Sequence, residues 1–101
     1  MIADALAKLI ESKDITFEDS REVMSEIMEG EATPAQLGGF LTALRMKGET
    51  AEEVAGMASV MRSKALKLVI SQDIVDTCGT GGDGLSTFNI STASAFVVAG
   101  A

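Results

Sequence analysis

Residues 77–92 read TCGTGGDGLSTFNIST. Glycine stands at 79, 81, 82 and 84, most other positions are Ser, Thr or Asn, and no Lys or Arg follows Lys67. The segment before it, 68–78 (LVISQDIVDTC), brings Ile74 and Val75 up to Asp76 in a short β-type run, which predicts a strand. After it, Asn89-Ile90-Ser91-Thr92 offers cap-type residues ahead of ASAFVVAGA, small and apolar, which predicts a buried helix. In the order strand, glycine-rich loop, helix N-terminus, backbone N–H groups and a helix dipole converge on an anion. The loop is not a P-loop, because no Lys follows a glycine in the G-K-[ST] arrangement. Gly79 to Gly84 satisfies G-x-G-x-x-G. The acid that would bind ribose about 20 residues further on nevertheless falls at or beyond Ala101, and polar residues continue past Gly84 where a dinucleotide turn enters its helix.

Upstream, residues 1–67 read as a helical domain of four short helices. Thr16 precedes Asp19 by three positions, Thr33 precedes Gln36 and Thr50 precedes Glu53, the spacing of a capping box, with Asp19 a short substitute for Glu. Pro34, the one proline, follows Thr33, where its missing N–H costs nothing. Apolar stripes at helical spacing are Ile2/Leu6/Leu9/Ile10, Phe17/Met24/Ile27/Met28, Leu37/Phe40/Leu41/Leu44 and Val54/Met57/Ala58/Met61. Leu41 and Met57 are therefore expected in the core, with the stripe methionines as core filling, and Gly30 and Gly48 as helix terminators. Gly38-Gly39 weakens the third helix unless another backbone packs close to it. The acidic run Glu49, Glu52, Glu53 reads as a solvated helix start favoured by the dipole.

Composition narrows the function. Eight basic against 15 acidic residues give a net charge of −7, which argues against nucleic acid or an anionic membrane surface as the main partner. Cys78 is alone and there is no His, so neither an internal disulfide nor an imidazole base is available. Without a His to activate it, Cys78 reads as a small buried hydrophobe. The lone Cys makes a reducing, cytoplasmic setting the expectation. No basic leader precedes the first apolar residues, and no apolar run approaches the ~20 residues of a membrane span.

GTGGD at 79–83 followed by TFNIST at 87–92, together with ALRMKGET at 43–50, resembles anthranilate phosphoribosyltransferase over essentially the whole chain. The resemblance implies transfer of a phosphoribosyl group from phosphoribosyl pyrophosphate to anthranilate in tryptophan biosynthesis, with Mg²⁺ as cofactor and a homodimer built through the helical regions. It implies that residues 68–101 begin an α/β domain of the phosphoribosyltransferase/nucleoside-phosphorylase type. It also implies a phosphoribosyl pyrophosphate site at Gly79, Gly82, Asp83, Thr87, Asn89, Ile90, Ser91 and Thr92, with Gly79 bordering anthranilate and Ser91 ligating Mg²⁺. No residue of the chain is implied as a catalytic acid, base or nucleophile. The family's basic loop KHGNR, its paired downstream acids and its anthranilate-facing arginine are not in the 101 residues. The chain is accordingly expected to be an N-terminal portion that binds these ligands poorly alone. Two other readings stand beside this one: a pyrimidine nucleoside phosphorylase-like enzyme, and a stand-alone helical dimerisation module with a disordered tail.

Overall fold

A computed structural model describes residues 1–79, 81, 84 and 89–101. It divides the chain into two compact units, Met1–Lys67 and Leu68–Ala101. The first holds α1 (Ile2–Ile10), α2 (Phe17–Met28), α3 (Pro34–Lys47) and α4 (Ala51–Lys64), and the second holds α5 (Ile90–Gly100).

The helix ends follow local chemistry. Thr33 Oγ1 accepts from Gln36 N at 3.2 Å while Gln36 Oε1 accepts from Thr33 N at 2.9 Å, and Thr50 and Glu53 make the same reciprocal pair. At α2, Thr16 Oγ1 accepts from Asp19 N at 3.0 Å, and the Asp19 carboxylate turns to Lys8 Nζ at 2.7 Å. That hydrogen bond from Lys8 is the main reason the Asp19 carboxyl sits below the usual carboxylate range. Gly30, with φ +76°, ends α2 in a Schellman motif: its N–H bonds Ile27 O and the next N–H, of Glu31, reaches back to Glu26 O. The same two-bond pattern ends α1 around Ser12, which takes φ +59° although it has a Cβ. Ser12→Gly should therefore raise stability by roughly 1 kcal/mol, because the left-handed conformation costs an L-residue about that much. An unchanged or lowered urea midpoint would show that Ser12 gains more from its side chain than it loses in strain.

In the helical unit α1 packs on α3 and α2 on α4. Ile2, Ala5, Leu9, Ile15, Val23, Phe40 and Leu44 form the core, with Ile27, Ala32, Ala43 and Met57 packed around it. Each large member contributes on the order of 1.5–3 kcal/mol on burial.

Several expectations need correction. Leu41 is 50% exposed, because the inward arc of α3 is centred on Phe40 and Leu44 and leaves Leu41 at its edge. The inward face of α4 is Glu53, Gly56, Met57 and Val60, so Val54, Ala58 and Met61 point outward. Gly56 sets that rotation: a Cβ there would lie 2.6 Å from Phe17 O and 2.9 Å from Ser20 Cβ, so α4 meets α2 through a bare backbone. Hydrophobicity does not register such a contact. Met28 and Met61 are likewise nearly half exposed rather than core filling, and Ile10 lies outside the core. Gly39 packs on the Leu6 side chain, whereas Gly38 faces open space.

Glu53 is the largest correction, being fully buried rather than solvated. Its carboxylate accepts from Ile15 N at 3.0 Å, Thr50 N at 2.8 Å and Lys47 Nζ at 3.0 Å. Lys47 Nζ, itself nearly buried, also donates to Asp14 Oδ1 at 2.8 Å and to Gly48 O at 2.7 Å. One charge cluster thus joins the α1–α2 turn, the end of α3 and the start of α4. Desolvation alone would push the Glu53 carboxyl up and the Lys47 ammonium down. The hydrogen bonds from Thr50, Ile15 and Lys47 reverse the first, and those to Asp14 and Glu53 reverse the second.

In the second unit no described residue lies in a strand. Ile74 and Val75 are exposed irregular backbone, since a strand forms only against a neighbour that completes its hydrogen-bond ladder. The expected helix is present as α5, but it is not buried: Phe96 is 77% exposed, and Val97 and Val98 are also open. Cys78 is exposed too, not buried.

Candidate functional site

The second unit brings two short segments together. Asp76 Oδ1 accepts from Cys78 N at 2.8 Å, an Asx turn that bends the chain just before Gly79. Thr77 Oγ1 donates to Ser91 O at 3.3 Å, fastening that bend to the first turn of α5. Thr77, Cys78, Ser91, Thr92, Ala95, Phe96 and Ala99 border an open cavity of about 430 Å³.

Asn89 occupies the N-cap of α5 without making a side-chain cap bond, and Ala93 N to Asn89 O at 3.0 Å is the first helical hydrogen bond there. The amides of Ile90, Ser91 and Thr92 precede that bond and stand at the positive end of the helix dipole. Ile90 is half exposed, Ser91 half-buried, and Asn89 and Thr92 exposed. Gly79 is exposed, and a Cβ there would meet nothing within 4 Å. Of the expected ligand-binding residues, Gly79, Asn89, Ile90, Ser91 and Thr92 are thus described, while Gly82, Asp83 and Thr87 lie outside the described residues.

The arrangement can present backbone donors, hydroxyls and an amide to an anion. It cannot neutralise a multiply charged one. Residues 68–101 contain no Lys or Arg, and a helix N-terminus contributes only ~0.3–2 kcal/mol toward an anion. The chain's own donors do not fit Mg²⁺ either. Ser91 supplies one neutral hydroxyl, no group of three acidic, Cys or His residues converges among the described residues, and Mg²⁺ takes carboxylates. The reading of the sequence passed over Asp76 and Thr77. The available signal was the Asp-x-Cys spacing, where a carboxylate sits two residues before an N–H it can cap.

Along the chain a bundle of four helices is thus followed by a glycine-rich stretch of sequence and then by the N-terminus of α5. Residues 3–65 match the model of the glycosyl transferase family, helical bundle domain, and residues 71–101 match that of the glycosyl transferase family, a/b domain. The chain belongs to this glycosyl transferase family. It is 57% identical over 101 residues to an anthranilate phosphoribosyltransferase of Dehalococcoides mccartyi, covering 100% of the chain and 30% of the relative. A second anthranilate phosphoribosyltransferase, from Anaeromyxobacter dehalogenans, is 60% identical over 102 residues with the same coverage. The bifunctional protein TrpGD of Thermotoga maritima is 62% identical over 101 residues, covering 99% of the chain and 17% of that protein. The chain thus spans about 30% of the length of the anthranilate phosphoribosyltransferases it matches.

Proposed function

We propose that this chain is the N-terminal portion of an anthranilate phosphoribosyltransferase. The observation that carries the reading is similarity of 57–60% over the whole chain to proteins of that name, through both the helical bundle and the segment holding Gly79 and Asn89–Thr92. In the reaction the anthranilate amine forms a C–N bond to the anomeric carbon of phosphoribosyl pyrophosphate. The C–O bond to pyrophosphate breaks, the amine loses its proton, and N-(5-phosphoribosyl)anthranilate and pyrophosphate result. Charge builds on the leaving group, so fixed donors that meet it speed the step without a covalent nucleophile.

This chain's share is orientation. The first-turn amides of α5, with Asn89, Ser91 and Thr92, hold the phosphoribosyl pyrophosphate, and Gly79 leaves room for it and for anthranilate. Gly82, Asp83 and Thr87 belong to the same set through the family resemblance. The family resemblance implies Mg²⁺ at the pyrophosphate with Ser91 as one ligand; Ser91 alone would not hold it, so carboxylates and cations would have to come from the rest of the enzyme. The enzyme is cytoplasmic, and no described helix is long and apolar enough to cross a membrane. The helical unit forms a homodimer, for which exposed Leu41, Met46, Val54 and Met61 offer apolar surface.

The test joins residues 1–101 to the remainder of the Dehalococcoides mccartyi relative in place of its own first segment. A folded chimera should form phosphoribosylanthranilate; a folded chimera with no transfer, beside an active relative, rejects the reading. Gly79→Ala sharpens it. Open space around the missing Cβ means the 101-residue chain should keep its circular dichroism and melting profile. In the chimera, phosphoribosyl pyrophosphate affinity should fall roughly tenfold or more, the scale of overpacking a filled contact. Unchanged affinity would place the ligand away from Gly79.

A further inference from the structure

Thr77 is absent from the set of residues assigned above to ligands, yet it alone among residues 66–79 is drawn out of full exposure, and it makes a bond across to α5. Its hydroxyl donates to the carbonyl of Ser91, fourteen positions on, at 3.3 Å. The preceding residue, Asp76, fixes the direction of the backbone by accepting the Cys78 N–H at 2.8 Å. One hydrogen bond therefore joins the approach to Gly79 with the turn that carries Asn89, Ile90, Ser91 and Thr92, and the other fixes the bend of the approach itself. Holding the ends of a segment of this length together costs chain entropy that grows with its length, and a bond between the ends offsets part of that cost before any ligand arrives. Preorganised donors bind a ligand more tightly than donors that must be gathered by it.

We propose that Thr77 is a positioning residue for the phosphoribosyl donor. It touches neither substrate; it clasps the bend at Asp76–Cys78 to the first turn of α5, so that Gly79 and the Asn89–Thr92 amides stand in register. Asp76 supports it by holding the bend. The inference rests on the transferase reading for its ligand, while the clasp itself is independent of it.

Two arms separate them. In the 101-residue chain, amide hydrogen exchange at residues 77–79 and 90–92 is followed for the parent, Thr77→Val and Thr77→Ser. Val keeps the shape and removes the donor; Ser keeps the donor and removes the methyl. The clasp requires faster exchange in Thr77→Val and parent-like exchange in Thr77→Ser. Equal exchange in all three overturns it. In the chimera, Thr77→Val should raise the KM for phosphoribosyl pyrophosphate about three- to tenfold, the effect of one lost hydrogen bond, with kcat and the anthranilate KM within about twofold. Thr77→Ser should restore it. A Thr77→Val KM equal to the parent's, or a Ser variant as impaired as the Val variant, refutes the positioning role. A parent chimera that transfers nothing removes the ligand from the proposal together with the transferase reading, and the exchange arm still decides whether the clasp exists.

Discussion

Glu53→Ala should destabilise the helical unit by roughly 3–5 kcal/mol, the cost of breaking a buried ion pair from one side. The substitution leaves the Lys47 ammonium in a nearly buried site and removes the acceptor for the N–H groups of Ile15 and Thr50. A unit of 67 residues has on the order of 3–10 kcal/mol of total stability, so the substitution should remove about a third of it or more. Glu53→Gln retains an acceptor for the backbone amides and loses the charge opposite Lys47, so it should fall between parent and Ala. Urea unfolding of all three chains measures the order, and an Ala variant within about 1 kcal/mol of the parent would mean that water replaces the carboxylate.

The pH dependence follows from the directions of the two shifts. Glu53 is held below the usual carboxylate range, so its contribution is complete above the unfolded value near 4.3. It is lost as pH falls through the lower folded value. Lys47 is held above its usual value, so its contribution is complete below about 10.4 and is lost as pH rises through the higher folded value. The parent should therefore show a stability plateau between these limits with losses on both flanks. Glu53→Gln should abolish the Glu53 share of the acid loss.

Gly56→Val should separate α4 from α2. Its Cβ would fall 2.6 Å from the Phe17 carbonyl oxygen and 2.9 Å from Ser20 Cβ, and the nearer obstacle is backbone, which cannot rotate away. Overpacking of this kind costs roughly 1–3 kcal/mol or more, which lowers the melting midpoint of so small a unit by about 10 °C. The roughly 0.3–0.5 kcal/mol of helix propensity regained on going from Gly to β-branched Val does not offset it. A melting midpoint equal to the parent's would show that α2 shifts freely and that the close approach is not required.

The sequence by itself determined the helical unit's boundaries, because caps are local. Thr33 with Gln36 and Thr50 with Glu53 lie within one turn of each other, and Gly30 and Gly48 take positive φ where the helices stop. It also determined the helix that begins at Ile90 and the family strings that precede it. Only the tertiary structure decided which arc of each helix turns inward. On α4 the choice depends on the bare backbone of Gly56 against Phe17 and on Glu53 bonding Ile15, 38 positions away, contacts that hydrophobic spacing does not encode. The same limit explains Leu41, whose spacing fits the stripe while its position on α3 lies at the edge of the buried arc. Ile74 and Val75 read as a strand from composition, but a ladder needs a second chain segment, and no described residue supplies one. Thr77 stayed hidden for a related reason: a hydroxyl becomes a clasp only when the fold brings a carbonyl fourteen residues away within 3.3 Å.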